Sequence, residues 1–176
     1  MEWQQFIINV FERMAQELEQ IVDGLTVEEL NQQPTPEGNS IGWLAWHLTR
    51  SHDRNMSEVA GETQLWISQD WYAKFNRKPG PAETGFGHSA KEAAAFRSPS
   101  GQVILDYHRA VVTRIKDYIS SQLSETELDR NTYSPTLNMT APVSRRLLGV
   151  INDAYQHLGQ AAYVRGLIKG WGWLGR

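Results

Sequence analysis

An all-α fold, a four-helix bundle with one long crossover loop between its second and third helices, is what this sequence predicts. Three observations lead there. Four separate stretches of roughly 20 residues carry apolar side chains at steps of three and four, the period of an amphipathic helix. Two Ser/Thr-x-x-Glu capping boxes open further helices, and strand-type alternation is weak throughout. The 176 residues are 40% hydrophobic, which suits one domain over 1–176 with a substantial core.

The first helix runs from Trp3 through Phe6, Ile7, Val10, Phe11, Met14, Leu18, Ile21 and Val22 to Leu25, and Gly24 closes it. Thr26-Val27-Glu28-Glu29 is a capping box, and the short helix it opens stops before Pro34. Asn39 or Ser40 caps the second long helix, which passes Ile41, Leu44, Ala45 and Leu48 and reaches Val59, with Gly61 as its stop. Residues 61 to 98 follow, with Trp66, Trp71, Tyr72, Phe75, Phe86 and Phe96 spread among Gly and Pro. A connection of that length is functional or disordered, and so many aromatics argue against disorder. The expectation is a packed crossover or lid containing a short helix from Trp66 to Phe75. The third long helix begins near Ser98-Pro99 and carries Val103, Ile104, Tyr107, Val111, Ile115, Tyr118 and Ile119. Ser124-Glu125-Thr126-Glu127 is the second capping box, followed by an irregular stretch with Pro135 and Pro142. The fourth helix spans about Pro142 to Lys169, with Leu147, Leu148, Ile151, Ala154, Tyr155, Leu158, Ala161 and Ala162 on its apolar side.

Composition narrows the function classes. Net charge is −3 with no basic run, so a nucleic-acid partner is not expected. Cysteine is absent, which removes a thiol nucleophile, disulfides and Cys-ligated metals. Neither a signal-peptide layout nor an apolar run of the ~18 residues needed to span a bilayer occurs, so a soluble cytoplasmic protein is expected. Homodimerisation is expected from the Trp-rich composition, the apolar first helix, and Trp171 and Trp173 near the C-terminus.

The candidate chemistry lies in two distant stretches, Gly42-Trp43-Leu44-Ala45-Trp46-His47-Leu48 and Asn152-Asp153-Ala154-Tyr155-Gln156-His157-Leu158-Gly159-Gln160. Four residues apart on a helix, Asp153 and His157 project from one face about 40° apart and can chelate one ion. His47 would be a third arm from another helix, and three protein ligands leave coordination positions open, as catalytic sites require. Each lies on the flank of its helix's apolar stripe, where an inward-facing group can still sit near the bundle's rim. Spacing alone also allows plainer roles: a packed histidine at His47, a simple Asp153–His157 pair, and His52 either competing as ligand or serving as a core histidine or one that orients a ligand. His108 falls in the apolar stripe of the third helix and reads as structural. His88 lies in the loop as lid, proton shuttle or a residue without a role, and Arg165 is expected to pair with a carboxylate rather than bind substrate.

These residues carry a family resemblance over essentially the whole chain. Asn39-Ser40-Ile41-Gly42-Trp43-Leu44-Ala45-Trp46-His47-Leu48, and Asp153 to Gln160 continuing into Ala161-Ala162-Tyr163-Val164-Arg165-Gly166-Leu167, resemble the DinB-like proteins. That superfamily of metal-binding four-helix bundles includes mycothiol-dependent maleylpyruvate isomerases and bacillithiol S-transferases. The more specific element is His-x-Gly-Gln followed by Tyr-x-Arg-Gly. The resemblance implies His47 and His157 as ligands and sets His52 aside as a primary one. Many members have His where this chain has Asp153, while the mycothiol-type branch uses a carboxylate there. The ion implied is divalent, zinc or nickel first, with iron, manganese and cobalt compatible with the same donors. The implied activity is that of a transferase or isomerase using a low-molecular-weight thiol cosubstrate, since a metal lowers the pKa of a bound thiol. The alternatives are a metal-dependent hydrolase, a two-His-one-carboxylate iron oxygenase ranked last, and a non-catalytic metal- or ligand-binding stress protein.

Overall fold

The computed structural model describes residues 2–170, 172 and 173. Four long helices dominate it: α1 (Trp3–Val22), α3 (Ile41–Ala60), α7 (Gly101–Ser121) and α9 (Val143–Lys169). Short helices α2 (Val27–Asn31), α4 (Leu65–Ser68), α5 (Trp71–Lys74), α6 (Ala90–Ala95) and α8 (Glu125–Leu128) sit in the connections. α1 packs on α7 and α9, and α3 packs on the same two, so each long helix meets two neighbours around a four-helix bundle. Phe11, Met14, Leu18, Leu44, Trp46, Ile104, Ile115, Ala154 and Leu158 meet at its centre with almost no exposed surface.

The capping chemistry sets the helix starts. Thr26 and Glu29 form the reciprocal box that opens α2. Ser40, rather than Asn39, caps α3 through Trp43 N–H, and Gly61 ends it in the left-handed region at φ 70°. Ser100 caps α7, and Ser124 accepts from Glu127 N–H at α8.

Two local readings are corrected. The expected helix from Trp66 to Phe75 is two single turns, α4 and α5, parted at Asp70, whose φ of 53° interrupts helical geometry. The supposedly irregular stretch before α9 contains an antiparallel hairpin, β1 (Asn131–Ser134) and β2 (Met139–Pro142), registered from Asn131↔Pro142 to Ser134↔Met139. Its inward residues on β1 are Thr132 and Ser134, with Tyr133 outward and exposed. Polar residues facing in and an aromatic facing out invert the alternation that announces a strand.

α3 is the axis of the functional architecture because it is buried on nearly every side, from Ile41 to Ser57. The bundle covers one face, and the excursion over residues 61–98, together with α2 and β1, covers the rest. Polar side chains enclosed in this way must find partners. Asp53 accepts from Arg50, Arg114 and Tyr107 Oη, and from the backbone N–H groups of Leu65 and Trp66 at the start of α4. Arg50 in turn donates to the carbonyls of Glu83 and Pro81 and to Gln64, with its guanidinium 4.6 Å from the centre of the Trp66 ring. This buried pair therefore holds the crossover loop to α3 at its start, residues 64–66, and again near its middle, residues 81–83.

Candidate metal centre

α3 and α9 run antiparallel: His47 meets His157 near one end of the pair, and Asn55 and Glu58 meet Arg146 further along. His47, Asp153 and His157 thereby converge, each offering a donor atom within 4.8 Å of the others. The three residues come together where spacing and resemblance pointed.

Each imidazole is oriented by a second contact. His47 Nδ1 lies 2.5 Å from Thr84 O. A carbonyl only accepts, so Nδ1 carries the proton and Nε2 keeps a free lone pair. The ring also stacks on Trp43, with centroids 4.8 Å apart and planes 8° from parallel. His157 Nδ1 pairs with Gln160 Oε1 at 2.8 Å, leaving Nε2 toward Asp153 Oδ1 at 3.3 Å. Asp153 Oδ2 is buried without a hydrogen-bond partner among the described residues. The free lone pair of His47 Nε2, the His157 Nε2 that Asp153 Oδ1 engages, and an orphaned carboxylate oxygen face one point, a donor set that fits a divalent ion once His157 gives up its proton.

The electrostatics favour the ligand form at His47 and Asp153 and oppose it at His157. Burial pushes His47 below the usual histidine value despite its Thr84 contact, favouring the neutral ligand form. Burial acts the same way on His157, but Asp153 and Gln160 outweigh it and leave this imidazole raised. Burial alone would raise Asp153; its hydrogen bond to His157 and that ring's charge bring it below the usual carboxylate range.

The crossover loop completes the centre, and the sequence reading missed how. Gly85 crosses directly over the aromatic floor at φ +84°, where an added Cβ would lie 2.9 Å from both Trp43 and Trp46 and 3.0 Å from His47 Nδ1. Only glycine allows both the conformation and the approach, and the approach is what brings the Thr84 carbonyl to His47. The Gly85-Phe86-Gly87 triplet was the one available signal. A cavity of about 280 Å³ opens beside the cluster, lined by His47 and Asp153 and by Ser51, Arg54, Phe86 and Arg146 among others.

The other candidates fall elsewhere. His52 neither ligates nor orients a ligand: it is fully buried, packed edge-on to Phe11, and both ring nitrogens lack partners among the described residues. Gln160 does take the orienting role. His108 is structural, donating through Nδ1 to Thr49 Oγ1 at 2.9 Å, since that hydroxyl's own proton goes to Ala45 O. His88 accepts from Trp43 Nε1 at 3.3 Å and fastens the loop. Arg165 is paired, though with the carbonyls of Ile21 and Asp23 at the end of α1 rather than a carboxylate, both at 2.7 Å. Trp173 packs against its own bundle, 5.0 Å from the Arg165 guanidinium, and Trp171 lies outside the described residues.

Comparison with known proteins gives the chain a family and a fold. The model of the DinB superfamily matches residues 10–161. A conserved protein of Enterococcus faecalis shares 31% identity and a TM-score of 0.84 over 97% of this chain and 99% of its own. A DinB-like protein from Bacillus cereus matches with TM-score 0.63 at 18% identity, over 93% of this chain and 91% of that one. YfiT from Bacillus subtilis, a probable metal-dependent hydrolase with an unusual four-helix bundle topology, matches with TM-score 0.55 at 16% identity, over 96% and 88%. The last two share the fold. No functionally curated protein matches the sequence. No helix among the described residues is long and apolar enough to cross a membrane.

Proposed function

The chain belongs to the DinB superfamily, and from that premise we propose that it is a divalent-metal-dependent enzyme whose ion is held by His47, Asp153 and His157. The ion expected first is zinc or nickel, with iron, manganese or cobalt compatible with the same donors. One observation carries the reading: three oriented donors converge at the edge of a cavity rather than in a closed cage. When bound, such an ion supplies Lewis acidity that makes a coordinated water or thiol nucleophilic near neutral pH.

The chain's own groups do the rest. Thr84 O and Gln160 hold the two imidazoles in the ligating tautomer. Trp43 and the Gly85 crossing keep the His47 ring in its plane and screen it from bulk water. The protein has no cysteine, so a sulfur nucleophile would arrive with a cosubstrate, and transfer or isomerisation through a low-molecular-weight thiol is the reading the family resemblance favours. Hydrolysis is the second reading. It needs the same three donors, and YfiT, of the same fold, carries that description.

The test begins with elemental analysis of protein purified without a His tag or chelating resin. Near-stoichiometric divalent metal is expected, with none in His47→Ala or His157→Ala and full occupancy in His108→Ala. Metal retained in His157→Ala overturns the site. Turnover of activated ester, amide and electrophile panels with and without added thiol then separates transfer from hydrolysis. Metal-loaded protein inert under both conditions would instead support a non-catalytic binding protein.

A further inference from the structure

The cavity beside the histidine cluster is walled by arginine: Arg54, Arg145 and Arg146 all line it. Helical repeat explains why. Arg54 lies seven residues after His47 on α3, and Arg146 seven residues before Asp153 on the antiparallel α9. Seven residues is almost two turns, so each arginine shares a face with its helix's candidate ligand, about 10 Å further along.

Glu58, the carboxylate that acts most on Arg54, is already committed, and Asp153 faces the histidine cluster. Glu58 accepts from Arg146 Nη2 at 2.5 Å and from the Thr136 hydroxyl at 3.0 Å. Arg146 also donates to Asn55 Oδ1 from Nε and Nη2, at 3.2 and 2.9 Å. Arg54 is different. It is only 5% exposed, yet Nε and Nη1 are buried with no hydrogen-bond partner among the described residues, and Arg146 Nη1 is in the same condition. A guanidinium does not shed its charge, so it stays as an unpaired buried cation, which is costly unless something else supplies the anion. Burial, and the nearby Arg146 and Arg50 charges against only Glu58 and Asp153, all press on that charge.

We propose that this wall is the anion subsite for the substrate: a small molecule bearing a carboxylate or phosphate, its oxygens held by Arg54 and Arg146 and its reacting end directed to the His47 cluster. Guanidinium forks match such oxyanions in geometry as well as charge. The cavity of about 280 Å³ limits the ligand to a small metabolite rather than a polymer. Gly149 of α9 keeps its wall low, since a Cβ there would meet nothing within 4 Å. The placement of the reacting end rests on the metal-site proposal; the anion subsite does not.

The test is run in EDTA, so that no anion can be held by a metal. Thermal unfolding of the wild type and Arg54→Met is followed against sodium phosphate or sodium acetate at constant ionic strength. The wild type is expected to show a saturable rise in Tm, greater for whichever anion resembles the natural group. Arg54→Met should bind roughly tenfold more weakly or worse. Without anion its Tm should equal or exceed that of the wild type, because an unpaired buried charge has been removed. An identical response in both proteins means an adventitious ion only and overturns the inference. So does a clearly lower Tm or failure to fold in Arg54→Met, which would make Arg54 a structural residue. Independently, the wild-type Arg54 Nε–Hε resonance, identified by its absence in Arg54→Lys, should move on phosphate or acetate titration; no movement with either anion also overturns it. Lost anion binding with stoichiometric metal sinks this subsite alone, whereas anion binding without metal sinks the metal centre alone.

Discussion

His52 and His108 make acid a specific solvent for this fold. His52 is fully buried and His108 is 1% exposed; their ring centroids lie 5.8 Å apart, with Phe11 on the other side of His52. Burial depresses His52 from 6.5 to about 4, and burial with the charges of His52 and Arg109 depresses His108 to about 3. The unfolded chain takes up both protons as pH falls through 6.5, while the folded chain refuses them. The stability from keeping these rings neutral is therefore complete above pH 6.5 and drains away as pH falls toward 4 and 3. Each unit of difference corresponds to about 1.4 kcal/mol, so by pH 4 each histidine removes up to ~3 kcal/mol. Together that is up to about 6 kcal/mol, against a total of roughly 5–15 kcal/mol for an ordinary protein. Asp153, held low, acts in the same direction, and His157, held high, acts in the opposite one. A variant comparison isolates the buried pair from both. Urea unfolding followed by tryptophan fluorescence in EDTA, between pH 7.5 and 4, should show His52→Leu losing stability more slowly than the wild type, by about 1.4 kcal/mol per pH unit below 6. Parallel curves for the two proteins would refute the reasoning.

Four further expectations follow from particular contacts. Gly85→Ala must place a Cβ against Trp43, Trp46 and His47 at a positive φ, so it should lower stability by about 1–3 kcal/mol and weaken metal binding, read by denaturation and by chelator competition. Unchanged metal affinity would mean the loop does not orient His47. Asp53→Ala leaves Arg50 buried without its carboxylate and should cost about 3–5 kcal/mol, measurable by circular dichroism melts; a loss under 1 kcal/mol would count against that network. Metal affinity should fall as pH drops, beginning at His157, whose proton is held above the ordinary histidine value of 6.5, since both imidazoles bind only when neutral; calorimetric titration with zinc showing no change between pH 7.5 and 5.5 would contradict a two-histidine site. Homodimerisation, expected from exposed apolar side chains such as Phe6, Leu148, Tyr163 and Leu167, is checked by light scattering, where a mass near 20.0 kDa at micromolar concentration would refute it.

What the sequence by itself determined is whatever depends on neighbours within a few residues. The four long helices were legible because Phe11, Met14 and Leu18, or Ile104, Val111 and Ile115, recur at the helical period and because Thr26, Ser40 and Ser124 cap through their own next turns. The Asp153–His157 pair was legible for the same reason, as an i, i+4 spacing, and the resemblance added His47 from a distant helix. Tertiary structure decided everything set by partners far along the chain. Thr84 orients His47 across 37 residues, and Glu83 O and Leu65 N fasten the loop to Arg50 and Asp53. The hairpin was hidden because burial of Thr132 and Ser134 is imposed by what packs on it, not by their polarity. His52, near the centre of the α3 stripe, takes the core alternative rather than orienting a ligand, because that face of α3 packs on Phe11 of α1 and His108 of α7. Nothing in the sequence singles out Arg54. Only the antiparallel docking of α9, which brings Arg146 level with it and engages Glu58 elsewhere, makes it an unpaired cation at the wall of a cavity.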